Sequence, residues 1–447
     1  MDMSALILAR LQFVASLSFF VIFLALSLSL AWFLLVFRLC AGVGARREWM
    51  EAYRFWVRIF ALALTLALAS VVPVGFLFGM LWPTLMARIG NVLGPLLAFT
   101  VVTLFVFKSC FLGVMLYGQQ RVSSKLHILS VAMVAVGLTV FVGWLVVIES
   151  WLHVPQGAML FDGHYLVQDW REIFFNAAMP WHLLLFVIGS LLAGAFLVLG
   201  VTAWQARHRA LGEGEYAAFR VGRIAAWLAF VLLWPVGAGT LMMVSEYQPM
   251  LAAVVAGHWR SGDPASLVLW AWPDGASRTN LWASAWPLPG NGWLGVSPSG
   301  QTLGLDRYSG MHPPVALVFW LARFGWIMGV LMLGAMLLCW RLCARQEPSA
   351  QSRWRLHILS GLTFSGVLAL LAGWLVLELG RQPYAVAGTV TWLEALGPDQ
   401  HSAWLAQGAV GQLLLYVVLV WIFVRRVFHA ARYGVVPGRK RHLKEAA

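Results

Sequence analysis

Apolar residues run along this chain in long blocks, without the two- or 3.6-residue alternation of an element that faces water on one side. Stretches near 13–37, 59–82, 94–118, 127–149, 181–205, 224–244, 315–340, 357–379 and 409–424 carry almost no charge. Most reach about 20 residues, enough for a helix rising about 1.5 Å per residue to cross a hydrocarbon layer roughly 30 Å thick. Water is absent from that layer, so each run must satisfy its own backbone hydrogen bonds, which a helix does. The pattern predicts an all-α polytopic membrane protein with nine transmembrane helices. The first run is too long for a cleavable signal, lacks a basic leader and meets no small-residue cleavage site before Arg38, so it is expected to remain.

Composition agrees: 61% of residues are hydrophobic and 11% are Asp, Glu, Lys or Arg, against about 25% charged in a soluble domain. The formal net charge of +13 invites a nucleic-acid reading until the basic residues are placed. The segments following helices one, three, five, seven and nine hold 22 Lys and Arg, and the opposite segments hold 7. That asymmetry is the positive-inside pattern, and it predicts an outer amino terminus and a cytoplasmic carboxyl terminus. The charge thus reports topology and contact with anionic membrane lipids, with no nucleic-acid partner. Cys40, Cys110, Cys339 and Cys343 fall in helices or at their cytoplasmic ends, so neither disulfides nor a metal site is expected.

The segments read as a first four-helix bundle (1–149), an outer loop (150–180), helices five and six (181–244), a long outer loop (245–314), helices seven and eight (315–379), a second outer loop (380–408), and a ninth helix with a basic tail (409–447). The long loop holds Trp259, Trp270, Trp272, Trp282, Trp286 and Trp293. Such rings suit a lid resting on headgroups, or a binding site for an amphipathic ligand such as a quinol. Leu126-His127-Ile128-Leu129-Ser130 recurs as Leu356-His357-Ile358-Leu359-Ser360, and Gly143-Trp144-Leu145-Val146 as Gly373-Trp374-Leu375-Val376. The common offset predicts two parallel four-helix halves, with helices four and eight equivalent and helix nine added.

Ala9-Arg10-Leu11-Gln12-Phe13 and Gly380-Arg381-Gln382-Pro383-Tyr384 resemble the two best signatures of subunit I of the cytochrome bd quinol oxidases. Further matches occur in order: Gly79 to Trp82, His127, Gly200 to Trp204, Gln248-Pro249-Met250, Trp272-Pro273-Asp274, Asn280, Gly304-Leu305-Asp306 and Pro313-Pro314. The resemblance implies nine helices in this orientation, a bacterial plasma membrane and a partner subunit. It also implies two haems b, one haem d, and a quinol site whose matching residues are Gln248, Trp272 and Asp274.

The axial haem ligands implied by the resemblance fall on Phe20, Leu185, Gly325 and Leu371, none of which has a donor atom to bind iron. Two acidic positions on helix three fall on Thr100 and Lys108, which breaks the family's proton route. After Met250 the chain reads Leu251 to Ala256, without the quinol loop's usual lysine and glutamate. His182, one turn outward from Leu185, is the weak substitute, its plain alternative being an interfacial histidine beside Trp181. His127 and His357, at cytoplasmic helix ends, suit capping or headgroup contact; Met115, Met242, Met243, Met328 and Met332 suit packing. Lys108 and Arg323 are intramembrane cations that need polar partners. Lys108 is expected to point into the space a haem would fill, or to a partner's carboxylate, because Glu149 and Glu378 lie too near the helix ends. Arg323 reads as a remnant of a haem propionate site.

Three functions are compatible with these features. The first is a haem-free, non-catalytic subunit of a bd-type respiratory complex, beside subunit II or a haem-bearing subunit I, with no cofactor of its own. The second is an active quinol oxidase with rewired ligands. The third is a lipid- or quinone-binding membrane protein or carrier that reuses the fold.

Overall fold

Apolar runs mark where a helix crosses hydrocarbon; the helices themselves continue until something caps them. In the computed structural model, which describes residues 3–42, 47–263, 266–287, 293–308, 311–339, 353–396 and 402–433, they overrun the apolar blocks by up to three turns. Helix one spans Met3–Gly42, helix two Arg47–Leu81, helix three Pro83–Gln120 and helix four Ser124–His153. Helix five spans Met179–His208, helix six Glu213–Tyr247, helix seven Val315–Leu338, helix eight Arg353–Gly380 and helix nine Ser402–Tyr433. Among the described residues, these nine are long and apolar enough to cross a membrane.

The ends obey local chemistry. Pro83 opens helix three, where its missing N–H costs nothing. The Ser123 hydroxyl accepts from the Leu126 N–H at the start of helix four. The Asn176 carboxamide oxygen accepts from the Ala178 and Met179 N–H groups at the start of helix five. Arg10 and Gln12, which precede the first apolar run, lie about two turns inside helix one. Helix eight differs from its expected twin: helix four is unbroken, whereas helix eight is interrupted between Arg353–Gly361 and Ser365–Gly380.

Helices one and five are the hubs. In their most apolar windows 78% and 67% of residues are buried, against 11% for helix three and 17% for helix nine, which places those two at the periphery. Close approach at the hub depends on residues without side chains. A Cβ on Gly194 would stand 1.9 Å from Ser29 Oγ, and one on Gly366 would stand 2.6 Å from Ala193 Cα. Small residues that let helix backbones meet are the usual glue where lipid removes the hydrophobic incentive to associate. Phe20, Phe23, Phe37, Phe60 and Phe196 fill the space around helix one.

Three antiparallel hairpins cap the face on which helix one begins, called here the first face. They are β1 (Ala158–Phe161) with β2 (His164–Val167), β3 (Ser266–Asp274) with β4 (Thr279–Pro287), and β5 (Tyr384–Val386) with β6 (Val390–Thr391). Asp162 and Gly163, both at positive φ, make the tight first turn.

Candidate functional site

Below the first face, helices four, five and eight bring a polar cluster into an otherwise apolar bundle. Asn176 sets it up: besides capping helix five, its amide donates to Ser150 Oγ at 2.9 Å, which locks the start of helix five onto the end of helix four. One turn on, His182 Nδ1 lies 2.7 Å from Glu149 Oε2. The other carboxylate oxygen is 3.0 Å from His153 Nε2, a close polar contact. Both imidazoles are buried, at 1% and 2% side-chain exposure. Among the described residues, His182 Nε2 is buried without a hydrogen-bond partner.

A second pair adjoins. Arg381 donates to both oxygens of Glu378 at 3.0 and 3.1 Å, and both side chains are buried. Arg10 lies within electrostatic reach of Glu378 and Arg381, and Arg381 within reach of His153. The segment after helix eight is folded tightly here, with a cis Gln382–Pro383 bond, the Tyr384 N–H donating to the Arg381 carbonyl, and the Ala387 N–H donating to the Leu152 carbonyl of helix four. The Gly380 to Tyr384 motif thus clamps helix eight to helix four. His182 is therefore buried and partnered. The i,i+4 pair Glu149 and His153, on an apolar helix, was the available signal for the cluster.

Other expectations change. Lys108 lies at the edge of a small groove between helices two, three and four. It is exposed, in a π-helical turn Lys108–Leu112 of helix three, and has no ion pair or hydrogen bond among the described residues. The extra residue in such a turn rotates the rest of the helix, so the phase of the preceding turns does not carry through. His127 does not meet headgroups: it is fully buried, and its Nδ1 accepts from Arg38 Nε at 3.0 Å. His357 is exposed, with Nδ1 2.8 Å from its own helix's Arg353 carbonyl oxygen. Thr100 is buried and donates to the Leu96 carbonyl. Met115 and Met332 are core, whereas Met242 is exposed. Cys343 lies outside the described residues; Cys40, Cys110 and Cys339 are free thiols.

Arg323 has a structural task. Its guanidinium donates to the carbonyls of Val255 and Val268 and lies 3.5 Å from the centre of the Phe319 ring. It therefore ties helix seven to the short helix Pro249–Ala256 and to β3. Trp259 is buried and donates to Asn280 Oδ1, whereas Trp270, Trp272, Trp282 and Trp286 stand exposed along the hairpin. Asp274 accepts from the Ala276 and Ser277 N–H groups and the Ser277 hydroxyl, which hold its carboxyl below the usual range. It closes the β3–β4 turn, while Gln248 stands at the junction of helix six and the short helix.

The sequence model for cytochrome bd terminal oxidase subunit I matches residues 8–435, nearly the whole chain. The chain belongs to that family. It is 25% identical to cytochrome bd ubiquinol oxidase subunit 1 of Bacillus subtilis (strain 168), over 96% of this chain and 95% of that one. It is 24% identical to cytochrome bd-II ubiquinol oxidase subunit 1 of Escherichia coli (strain K12), over 96% of each chain. The solved bd oxidase from Geobacillus thermodenitrificans shares the fold, with a TM-score of 0.85 and 22% identity over 96% of this chain and 99% of that one.

A bd-type subunit I implies haem, and the donor chemistry here does not fit it at the expected positions. Phe20 sits in the aromatic core, edge-on to Phe141 at 6.4 Å between ring centres. Leu185 packs against the same core. At Gly325 a Cβ would meet only Ala372 Cβ, at 3.9 Å, and the Ala369 carbonyl of helix eight, at 4.0 Å. Leu371, half-buried, lies on that same stretch of helix eight. None of the four has a lone pair to offer iron.

Proposed function

We propose that this subunit I-like protein is a haem-free, non-catalytic member of a bd-type respiratory complex in a bacterial plasma membrane. Its first face is outside, its carboxyl terminus is cytoplasmic, and subunit II or a haem-bearing subunit I is its partner. The observation that carries this reading is the substitution of Phe20, Leu185, Gly325 and Leu371 at the ligand positions. The signature residues Arg10 and Gly380 to Pro383 are meanwhile retained in a packed first-face cluster, and Gln12 is retained against Gly408 of helix nine. A bundle that keeps its clamps and loses its ligands retains a scaffold's role.

Reduced-minus-oxidised visible spectra and haem extraction test this on the chain after removal of co-purifying subunits. The expected content is below about 0.5 haem per chain, because each haem needs an axial side chain. Stoichiometric haem overturns the proposal. A reporter fused after residue 433 tests the topology and is expected to be active only as a cytoplasmic fusion.

One observation favours a second reading, a quinol oxidase with rewired ligands. Among the described residues, His182 has its Nδ1 held by Glu149 and its Nε2 buried and unpartnered, the arrangement that carboxylates impose on metal-binding histidines. Under that reading the purified chain shows a Soret band, and His182→Ala abolishes it. The exposed tryptophans of the β3–β4 hairpin, with Gln248 and Asp274, form the quinone- or lipid-facing surface under either reading. Quenching of their fluorescence by a short-chain quinone in detergent tests it.

A further inference from the structure

Helix nine lies at the periphery, and its rotation on the bundle is fixed by packing. Phe423, Val427 and Ala431 are buried at four-residue spacing, which puts them on one helix face. Phe423 meets Phe23 of helix one edge-on at 5.1 Å between ring centres, and the Ala431 carbonyl accepts from Gln205 of helix five at 3.2 Å. On the side turned away, Trp421, Ile422, Arg425, Arg426 and His429 are exposed, and they are the described lining of one recess. The Arg425 guanidinium lies 5.1 Å from the centre of the Trp421 ring, a cation–π contact that holds it over the indole. Neither Arg425 nor Arg426 has an ion pair or side-chain hydrogen bond among the described residues, and no Asp or Glu occurs between Ser402 and Tyr433. Depth follows from Gly408, which meets Gln12 half a turn beyond the first-face Arg10. Arg425 is about 26 Å farther along helix nine at 1.5 Å per residue, against roughly 30 Å of hydrocarbon. The two arginines and His429 thus stand where acyl chains end and phosphates begin, at the opposite or second face.

We propose that this recess is a binding site for one anionic glycerophospholipid of the second-face leaflet. Arg425, Arg426 and His429 receive the phosphodiester, and the glycerol and first acyl carbons rest on Trp421 and Ile422. The planar guanidinium fork matches two phosphate oxygens at once, and two adjacent arginines without a carboxylate leave that capacity free. The indole holds Arg425 in place beforehand, so less side-chain freedom is lost on binding. The order of groups along the helix matches the polarity of the lipid. Trp421 and Ile422 lie one turn toward the membrane interior from Arg425 and Arg426, and below them Leu414, Val417 and Val418 continue the exposed apolar face that an acyl chain covers. A soluble phosphate engages the cations alone and leaves this face uncovered. The bound lipid braces a helix of which only 17% of the most apolar window is buried in the bundle. The inference rests on the membrane-spanning fold and is independent of whether the chain binds haem.

The test titrates the delipidated full-length protein in dodecyl maltoside with dioleoyl phosphatidylglycerol and counts bound lipid by native mass spectrometry. The first phosphatidylglycerol is expected to bind about tenfold or more tightly than dioleoyl phosphatidylcholine. Arg425→Gln combined with Arg426→Gln removes that preference, an affinity loss of about tenfold or more. Arg220→Gln, at an exposed arginine in the first turns of helix six, leaves it unchanged. Arg425→Lys combined with Arg426→Lys keeps the charge and retains most of the preference, and all variants unfold like the parent in lipid-free micelles. Phosphatidylglycerol raises the unfolding midpoint of the parent and not of the double glutamine variant, as a ligand of the folded state must. Inorganic phosphate and glycerol phosphate in millimolar excess do not displace the lipid. Displacement by either soluble anion, equal binding of phosphatidylcholine, an equal loss with Arg220→Gln, or unchanged affinity in the double glutamine variant overturns the proposal.

Discussion

Glu149→Leu tests whether the first-face cluster holds helices four and five together. The substitution removes the carboxylate that accepts from His182 at 2.7 Å and contacts His153 at 3.0 Å, and leaves both imidazoles buried. A hydrogen bond to a charged group contributes about 1.5–3 kcal/mol, and a buried donor left without a partner costs about 1–3 kcal/mol. The two overlap in one measurement, so the expected loss is about 2–4 kcal/mol. Glu149→Gln keeps the volume and one acceptor, and should lose about half as much. The readout is unfolding by dodecyl sulfate titrated into dodecyl maltoside micelles, monitored by tryptophan fluorescence. The control is Glu394→Gln, which breaks the exposed pair with Arg88, a class worth about 0–1 kcal/mol. If Glu149→Leu shifts the midpoint no further than Glu394→Gln, the cluster does not stabilise the fold and the reasoning fails.

Gly366→Ala forces a methyl group to 2.6 Å from Ala193 Cα and 2.9 Å from its backbone nitrogen. Because backbone cannot rotate away, a loss of about 1–3 kcal/mol is expected in the same titration, and a neutral result refutes the close approach of helices five and eight. Arg323→Met removes the donors to Val255 and Val268; faster amide exchange in 249–256 and 266–287, with helices one and five unchanged, is the expected signature. Acidification should loosen the segment around His258 and Asp306. Burial holds the His258 imidazole below its ordinary value despite Asp263 and Asp306, so its neutral form stabilises the fold fully above about pH 6.5, and this is lost as pH falls toward the lower folded value. Partial burial raises the Asp306 carboxyl, but hydrogen bonds from Ser261 outweigh it and hold it low; its contribution is present above about pH 3.9 and lost below, as pH falls through the folded value. Exchange in 257–263 and 303–308, corrected for intrinsic rates, should rise from pH 7.5 to 5.5, chiefly through His258; a fall contradicts the assignment.

The residues at the expected ligand positions were legible because they depend on residue identity at positions numbered from nearby motifs. Helix ends were less so: hydropathy locates the hydrocarbon crossing, whereas Ser123 and Asn176 start helices by local hydrogen bonding and Pro83 by its missing N–H. The direction of Lys108 was not legible because a charge in mid-helix names a depth but not a direction. Which side of helix three packs on helix four is decided by contacts such as Phe107 against Gly137, where an added Cβ would fall 2.1 Å from the ring, and the π turn then shifts the phase. Glu149 and His153 share a helix face by spacing, but His182 joins them only when a separate helix, locked by Asn176, brings it within 2.7 Å.

By itself the sequence determined that nine apolar spans enter the membrane, that the family's signatures are present and that the side chains at the four expected ligand positions carry no donor atom. Burial of apolar length and the chemistry of a side chain are properties of each segment alone. Only the tertiary structure decided which polar groups meet beneath the first face, what Arg323 ties together and that Lys108 is exposed. Pairings and directions depend on the relative rotation of helices far apart in the chain, and packing sets that rotation.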